Sequence, residues 1–240
     1  MSGALLCFSI VLPCYNEAEN LPPLLARYAE VWEDLPAELV LVNNGSTDDT
    51  ARVLELELKR PDRAFARTIV VPVNRGYGYG IAAGLRETRG EFVGFSHADM
   101  QCSPADLFTA YHKLLAQPDP KGVVVKGKRS KRSLGPSIFT NIMGLLATIV
   151  LMTGLTDINA QPKVFHRSHL KLLTNPPNGF DFDLYVLYMA RRAGLKVLTV
   201  PVIFSQRARG LSKWAFSFRS RWRTILATVL YIFRLRFSGI

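Results

Sequence analysis

Short apolar runs alternate with amphipathic segments through the first half of the chain, and this alternation constrains the fold more than any other feature. Apolar spacing predicts a helix over Asn20–Trp32, and a glycine-rich turn leads into a helix within Gly76–Thr88. A cap at Ser103, followed by Pro104, predicts a helix that ends near Ala116. A Ser-x-x-Asp sequence at Ser46 predicts a capping box that opens a further helix, ending near Lys59. The strands predicted between them are Leu5–Leu12, Glu38–Val42, Arg67–Val71, Glu91–Ser96 and Gly122–Lys126. This order predicts an α/β fold with a mostly parallel sheet, whose ligands lie at the carboxyl ends of the strands.

The net charge is concentrated at the C-terminal end. Of 240 residues, 30 are Lys or Arg and 19 are Asp or Glu, which gives +11. Leu184–Ile240 contains 11 basic residues and no acidic one, whereas the residues before it are balanced. A basic segment of this kind favours an anionic partner, so nucleic acid, phospholipid and a phosphorylated substrate are the candidates.

The cysteines and the N-terminus narrow the class of protein. Three cysteines without a Cys-x-x-Cys pair argue against a disulfide framework and a structural zinc site, and they favour a reducing compartment. The first apolar run lacks a basic segment before it and leads into Pro13. It is interpreted as a strand and not as a signal peptide.

Polar side chains follow two of the predicted strands. After the second strand, the sequence Asn43-Asn44-Gly45 offers amides that can bond a nucleobase edge; a simple turn is the alternative. After the fourth strand, alternate residues project in one direction, so His97, Asp99 and Gln101 can converge on one ligand. A carboxylate there can hold a divalent cation that binds a diphosphate, and a polar loop with Asp99 as a cap is the alternative.

Two further segments are candidates for ligand contact. Asn74–Gly80 is rich in glycine, but its spacing and its place after the third strand differ from a dinucleotide fingerprint. A loop that lines a ligand pocket is favoured over a packing turn. Lys121–Arg132 has six basic residues and no acid, which indicates phosphate contact or, alternatively, a solvated loop.

In this order, the motifs resemble those of family 2 glycosyltransferases. They are Ser9–Glu17 (SIVLPCYNE), Leu39–Thr50 (LVLVNNGSTDDT), Asn74–Gly80 (NRGYGYG) and His97–Pro104 (HADMQCSP). The second half resembles the branch that glycosylates polyprenyl phosphates, such as dolichyl-phosphate mannose or glucose synthases. The matching segments there are Asp157–Phe165, Gly179–Asp183 and Arg207–Lys213.

The resemblance implies a Rossmann-like GT-A fold and an activity. Family members of this branch transfer a hexose, with inversion, from a nucleoside-diphosphate sugar to a polyprenyl or dolichyl phosphate. Mg²⁺ or Mn²⁺ would be held by Asp99, with Gln101 and His97 as further ligands. Arg129 would neutralise charge on the leaving diphosphate. The residues that would bind the nucleotide sugar are Pro13, Tyr15, Glu17, Asn44, Gly45, Gly76, Gly80, His97, Ala98, Asp99 and Lys128, and those that would hold phosphates are Arg207, Ser212 and Lys213.

Two positions depart from the family pattern. Asn43-Asn44 replaces the usual Asp pair, so the contacts to the base lose a charge. His97 replaces the first Asp of the Asp-x-Asp motif; a neutral imidazole can ligate a metal, and a protonated one can bond a diphosphate. Asp99 is present, so catalysis is predicted, and a non-catalytic membrane-bound homologue is the remote alternative.

The acceptor decides whether a general base is needed. A phosphate monoester already carries an anionic oxygen, whereas a sugar hydroxyl requires a carboxylate to take its proton. Asp181 and Asp183 are the candidates for that base; complementing a helix macrodipole is their alternative role. A polyprenyl phosphate acceptor is favoured, and a saccharide or lipid-linked saccharide hydroxyl is the alternative.

Two segments of the second half are expected to meet an anionic membrane surface. Ser133–Thr156 is uncharged and long enough to span, but an interfacial helix, or one packed beneath the acceptor groove, is favoured. Residues 211–240 have arginines beside an apolar helical face, which is typical of a membrane-interface helix and not of a nucleic-acid groove. Protein core or a membrane partner subunit is the alternative for both segments. The apolar face consists of Trp222, Ile225, Leu226, Val229, Ile232 and Phe233.

These expectations define an organisation for the chain. Residues 1–210 form the glycosyltransferase domain, with a nucleotide-sugar half over 1–132 and an acceptor half over 133–210. Residues 211–240 form a basic tail that associates with the membrane. The protein is expected at the cytoplasmic face of a membrane, as a peripheral enzyme.

Overall fold

The computed structural model describes residues 6–130, 147–205 and 218–237, and within them a seven-stranded sheet carries helices on both faces. Its order is β3-β2-β1-β4-β6-β5-β7. The strands are β1 Phe8–Cys14, β2 Ala37–Asn44, β3 Ala66–Val71, β4 Phe92–Phe95, β5 Val123–Arg129, β6 Lys163–His166 and β7 Lys196–Val202.

The sheet is mixed. Strand β6 runs antiparallel to both of its neighbours, β4 and β5, and the other pairs are parallel. The mostly parallel sheet is therefore confirmed, while β6 was not predicted, because it has only four residues and begins with a lysine. The carboxyl ends of β1, β2, β4, β5 and β7 lie along one edge of the sheet, together with the start of β6.

The helices form two layers. Those of the first layer, α1, α2 and α4, contribute to one apolar cluster, and α3, α5 and α6 contribute to the other. The helices are α1 Leu21–Val31, α2 Thr50–Glu57, α3 Tyr77–Arg86, α4 Pro104–Leu115, α5 Phe182–Arg192 and α6 Phe218–Phe237, and residues 147–151 are also helical. The capping box predicted at Ser46 is wrong. The second helix begins only at Thr50, and Ser46 Oγ instead accepts a hydrogen bond from the N–H of Asn16.

The C-terminal helix packs on the domain, and part of the apolar face predicted to meet a membrane is buried there. Ile232 and Leu235 are buried in the cluster that contains α5. Among the side chains of this helix that the structure describes, the exposed large apolar ones are Leu226, Leu230, Phe233 and Phe237, so Ile232 does not belong to an exposed apolar face. Across the described parts of the chain, no helix has the length and apolar character that crossing a membrane requires. Residues 131–146, which include the first part of the uncharged segment, lie outside the described residues.

Two lysines lie directly opposite each other inside the sheet. Lys126 of β5 pairs with Lys163 of β6, and both are fully buried. Lys126 Nζ donates to the carbonyl oxygens of Gly127 at 2.9 Å and Asp157 at 2.8 Å, whereas Lys163 forms an ion pair with Asp183. Burial, reinforced by the charge of Lys163, lowers the pKa of Lys126 to about 7.

Replacing Lys126 by Met is expected to change how stability depends on pH. The ordinary pKa of 10.5 applies to the unfolded chain, so folding releases a proton between the folded and unfolded pKa values. The free energy of unfolding of the wild type should therefore rise, relative to Lys126→Met, from about pH 7 to about pH 10, and the difference should be constant below about pH 7. Urea unfolding at about pH 6 and about pH 9 measures it, and a difference that does not change with pH would contradict the assignment.

Candidate active site

Hydrogen bonds join the loops that follow β1 and β2. The N–H of Asn16 donates to Ser46 Oγ at 3.1 Å, and the N–H of Thr47 donates to Asn16 Oδ1 at 2.8 Å. The N–H of Glu17 donates to the Oγ1 of Thr50, the first residue of α2, at 2.9 Å. These bonds fix the loop that carries the predicted contacts to base and ribose.

The predicted contacts in that loop differ in exposure. Pro13 and Tyr15 are half-buried at the edge of the sheet. Glu17 is buried and accepts a hydrogen bond from Asn20 Nδ2 immediately before α1. Glu17 therefore supports the start of that helix, and its predicted contact with a ribose stays a prediction.

Asn44 ends β2 and is buried against α3. Its Nδ2 donates to the Gly76 carbonyl at 3.0 Å, and its Oδ1 has no hydrogen-bond partner within residues 6–130, 147–205 and 218–237. That oxygen is the acceptor that a base N–H needs, but it is closed to solvent. The predicted contact of Asn44 with a base stays a prediction.

Glycines bring the loops of this edge into close contact. A Cβ on Gly80 would lie 2.8 Å from Asn44 Nδ2, and one on Gly76, whose φ is +119°, would lie 2.3 Å from the Asn178 carbonyl oxygen. Gly45 has a φ of +67°, and a Cβ on it would lie 2.3 Å from the backbone nitrogen of Asn74, just before α3. Close packing thus accounts for these glycines, and direct nucleotide contact by Gly45, Gly76 and Gly80 stays a prediction.

The loop after β4 carries the predicted metal ligands. His97 Nδ1 and Asp99 Oδ2 lie 4.0 Å apart, and Asp99 Oδ1 accepts a hydrogen bond from the N–H of Gln101. Gln101 Nε2 donates to the Ser205 carbonyl at 3.2 Å, and the N–H of Ser205 donates to the Gln101 carbonyl at 3.0 Å. Gln101 thus ties this loop to the chain leaving β7. The Ala98 side chain packs into the core.

The donor set fits a divalent cation that a diphosphate completes. Among the described residues, no group of three or more His, Cys, Asp or Glu side chains could hold a metal alone. Asp99 and His97 supply one carboxylate and one imidazole, and Mg²⁺ is commonly bound by one or two carboxylates plus substrate phosphates. Burial lowers the pKa of His97, which favours the neutral imidazole that a metal requires.

A row of planar side chains lines the site. Phe180 stacks on Tyr77 with ring centroids 5.4 Å apart, and Tyr77 lies edge-to-face with His97 at 5.6 Å. His97 lies 6.3 Å from Phe204, and the Arg129 guanidinium lies 4.5 Å from the Phe204 ring centroid. The row connects α3, β4, β7 and β5, so Phe204 links the positions of His97 and Arg129.

The predicted diphosphate cation is held at the end of β5. The N–H of Arg129 donates to Asp157 Oδ2 at 2.8 Å, and its Nη2 donates to the Asn159 carbonyl at 3.1 Å. The neighbouring Lys128 is exposed. The structure therefore places one fixed cation and one exposed cation at the same edge as Asp99.

The two candidate bases both make contacts within the protein. Asp183 is buried in its ion pair with Lys163 and accepts a hydrogen bond from Gln161 Nε2 at 2.9 Å. Asp181 Oδ1 accepts a hydrogen bond from Thr228 Oγ1 of α6 at 2.6 Å, and burial raises the pKa of Asp181. The fold thus uses Asp183 as a counter-ion and Asp181 as an anchor for α6.

Four residues at this edge were not predicted from the sequence, namely Tyr77, Gln161, Lys163 and Phe204. Gln161 Nε2 also donates to Tyr77 Oη at 3.0 Å, next to Lys163, and Phe204 supports Arg129. No local sequence pattern marks Lys163 or Phe204. The predicted phosphate ligands Arg207, Ser212 and Lys213 lie outside the described residues.

The chain has relatives of known activity. It is 29% identical over 219 residues to an undecaprenyl-phosphate 4-deoxy-4-formamido-L-arabinose transferase of Pseudomonas fluorescens (strain Pf0-1), covering 87% of this chain and 60% of the relative. Identity to the protein of that description from Salmonella choleraesuis (strain SC-B67) is 29% over 215 residues, covering 87% and 62%. The chain therefore spans only about three fifths of the length of these relatives.

Solved structures share the fold. A glucosyl-3-phosphoglycerate synthase from Mycobacterium tuberculosis, in complex with Mn²⁺, UDP and glucosyl-3-phosphoglycerate, has a TM-score of 0.70 at 24% identity, over 95% of this chain and 80% of that one. Its complex with Mg²⁺ and UDP has a TM-score of 0.69 at 23% identity, over 95% and 79%. This likeness confirms the GT-A fold.

The family model supplies the assignment that geometry alone does not. The model described as glycosyl transferase family 2 matches residues 9–173, which run from β1 past β6. That range is more than half of the chain, and it includes the ends of β1, β2, β4 and β5 that build the site. On this match, the chain belongs to glycosyl transferase family 2.

Proposed function

We propose that the protein is a metal-dependent, inverting glycosyltransferase that moves a hexose from a nucleoside-diphosphate sugar to a polyprenyl phosphate. The acceptor assignment depends on one observation: both carboxylates that could act as a general base already bind other side chains of the protein. Asp183 neutralises the buried Lys163, and Asp181 anchors Thr228. An acceptor that brings its own anionic oxygen has no need of either carboxylate.

The relatives support the same acceptor class. They are undecaprenyl-phosphate sugar transferases, and undecaprenyl phosphate is a polyprenyl phosphate. The solved structures bind UDP with Mn²⁺ or Mg²⁺ on the shared fold, which supports a nucleotide donor and a divalent cation for this chain.

The reaction follows from the placement of charges. A phosphate oxygen of the acceptor attacks the anomeric carbon, the bond from that carbon to the donor diphosphate breaks, and the diphosphate leaves with the electron pair. Asp99 and His97 would hold Mg²⁺ or Mn²⁺, which neutralises diphosphate charge when bound. Arg129, fixed by Asp157 and Phe204, stabilises the negative charge that develops on the leaving group.

The acceptor assignment predicts which carboxylate matters. Asp99→Asn should lower transfer to polyprenyl phosphate by about 100-fold or more, because it removes the carboxylate that faces the diphosphate. Asp181→Asn should lower transfer by less than about tenfold, because a phosphate acceptor needs no general base. Loss of a residue that acts as the general base would lower transfer by about 100-fold or more. The assay measures label from a panel of UDP- and GDP-sugars, with Mn²⁺, in the extracted lipid.

Polyprenol without the phosphate is the matched acceptor control. It should stay unlabelled, because its hydroxyl needs a base. Labelling of polyprenol or of a saccharide, with a large loss in Asp181→Asn, would instead establish the hydroxyl acceptor. If the wild type binds no nucleotide sugar, the protein is a non-catalytic homologue.

Membrane association is proposed to use the outward face of α6. Leu226, Leu230, Phe233 and Phe237 follow i, i+4, i+7 and i+11 spacing, opposite the buried Ile232 and Leu235. The exposed Arg234 and Arg236 flank this apolar stripe on either side. An apolar stripe between cations suits an anionic bilayer, so we place the protein at the cytoplasmic face of a membrane as a peripheral enzyme.

The proposed organisation assigns each half of the chain a task. Residues 1–132 bind the nucleotide sugar, residues 133–210 meet the acceptor, and residues 211–240 associate with the membrane. The packing of α6 on α5 brings the stripe close to the acceptor half, since Asp181 immediately precedes α5 and bonds Thr228 of α6. A lipid acceptor held at that surface would not have to leave its bilayer.

The stripe can be tested by placing charge on it. Leu230→Glu combined with Phe237→Glu should weaken binding to vesicles of phosphatidylglycerol and phosphatidylcholine by at least about tenfold, since each buried apolar side chain contributes about 1.5–3 kcal/mol. Vesicle sedimentation measures it. Leu56→Glu is the control, because Leu56 is also an exposed leucine but lies on α2, on the other face of the sheet. Equal vesicle binding by the wild type, the double variant and Leu56→Glu would refute the assignment. If the wild type instead elutes as a dimer in size-exclusion chromatography and the double variant as a monomer, the stripe is the contact with a partner subunit.

A further inference from the structure

Groups from outside the sheet hold Arg129 at the site, and among them is the Asp157 carboxylate, 4.0 Å from the Arg129 guanidinium group. Its guanidinium group lies against the Phe204 ring and donates to the Asn159 carbonyl, while its N–H donates to Asp157. Two of these three contacts come from the segment just before β6. The position of Arg129 therefore depends on how firmly residues 157–159 are held.

Asp157 holds that segment in an unusual backbone conformation. Its φ is +44°, in the left-handed region that non-glycine residues adopt only uncommonly. A conformation of this kind persists only where its surroundings determine it. The Asp157 carboxylate accepts a hydrogen bond from the Arg129 N–H, and the Asp157 carbonyl oxygen accepts one from Lys126 Nζ at 2.8 Å.

Lys126 lies where it can hold the left-handed backbone of Asp157 in place. It lies on β5, three residues before Arg129, and is 1% exposed, so water does not compete for its hydrogen bonds. Its Nζ connects the Gly127 carbonyl of its own strand to the Asp157 carbonyl. A Cβ on Gly127 would lie 2.0 Å from the Gln161 carbonyl oxygen, so the segment before β6 lies directly against the strand at this point.

We propose that Lys126 is a positioning residue for the diphosphate cation: it holds the left-handed backbone of Asp157, and Asp157 holds Arg129. The inference rests on the proposed function in that Arg129 faces the diphosphate of a nucleotide sugar. Lys126 itself touches neither substrate nor metal in this arrangement. Its effect passes through two hydrogen bonds, one at each end of Asp157.

A double-mutant cycle tests the link. UDP and GDP are titrated, each with Mn²⁺, into the wild type, Lys126→Met, Arg129→Gln and the double variant, and binding is measured by calorimetry. Whichever nucleotide the wild type binds should bind about tenfold more weakly to Lys126→Met, because a charge-assisted contact loses its alignment. Lys126→Met should have no further effect in the Arg129→Gln background, since it acts through Arg129. In the transfer assay, the KM for the lipid acceptor should not change.

Two further variants guard against a trivial loss of structure. Lys113→Met removes a lysine that also donates to a backbone carbonyl, that of Thr199, but on the surface of α4, so binding should not change. Asp157→Ala breaks the same chain of contacts at its middle and should reproduce the loss even if Lys126→Met does not fold. Proton exchange of the Arg129 backbone N–H, followed by NMR, should accelerate in either variant.

The outcomes separate the inference from the proposed function. A loss in Lys126→Met that persists unchanged in the Arg129→Gln background overturns the positioning role, and so does full affinity in both Lys126→Met and Asp157→Ala. If Arg129→Gln binds nucleotide normally, the role of Arg129 fails, and the inference fails with it. If the wild type binds neither UDP nor GDP, the proposed donor class is wrong as well.

Discussion

The antiparallel insertion of β6 between β4 and β5 is the constraint on which the site depends. Because β6 runs against both neighbours, β5 is parallel to β4, and the two strands end at the same edge. Asp99 and Arg129 thereby lie on one side of the sheet, although thirty residues separate them. The reversed strand also begins at this edge, so it delivers Lys163 and the segment that contains Asp157 to the site.

The insertion has an electrostatic consequence. It places Lys163 opposite Lys126 within the sheet, where a buried charge is expensive unless it is paired. Lys163 has Asp183 as its counter-ion, whereas Lys126 has carbonyl oxygens. The first arrangement gives Asp183 a buried counter-ion, and the second joins Lys126 to the segment that carries Asp157. The burial of these two lysines thus connects the stability of the sheet to the chemistry at its edge.

Sequence reasoning found what depends on local pattern and missed what depends on pairing. Apolar runs and helical spacing located the strands and helices of the first half, and the ordered motifs identified the fold. The partner of Asp183 could not be found, because it lies on a four-residue strand that no periodicity marks. The buried face of α6 could not be chosen either, since apolar residues occur all around that helix and only contact with α5 selects Ile232 and Leu235. The hydrogen bond from the Gln101 amide to the Ser205 carbonyl could not be found either, because it joins segments that are over a hundred residues apart.

The departure at Asn44 has a physical reason within the fold. The residue is buried beside the Gly76 carbonyl oxygen and donates a hydrogen bond to it. A carboxylate has no hydrogen to donate when ionised, so an Asp in this position would set two acceptors against each other unless it were protonated. The amide satisfies the carbonyl and still offers an oxygen, and it does so without a buried charge. The loop before α3 and the end of β2 are therefore adapted to each other, and an Asn44→Asp change aimed at the family pattern would have to be accompanied by a change in the Gly76 loop.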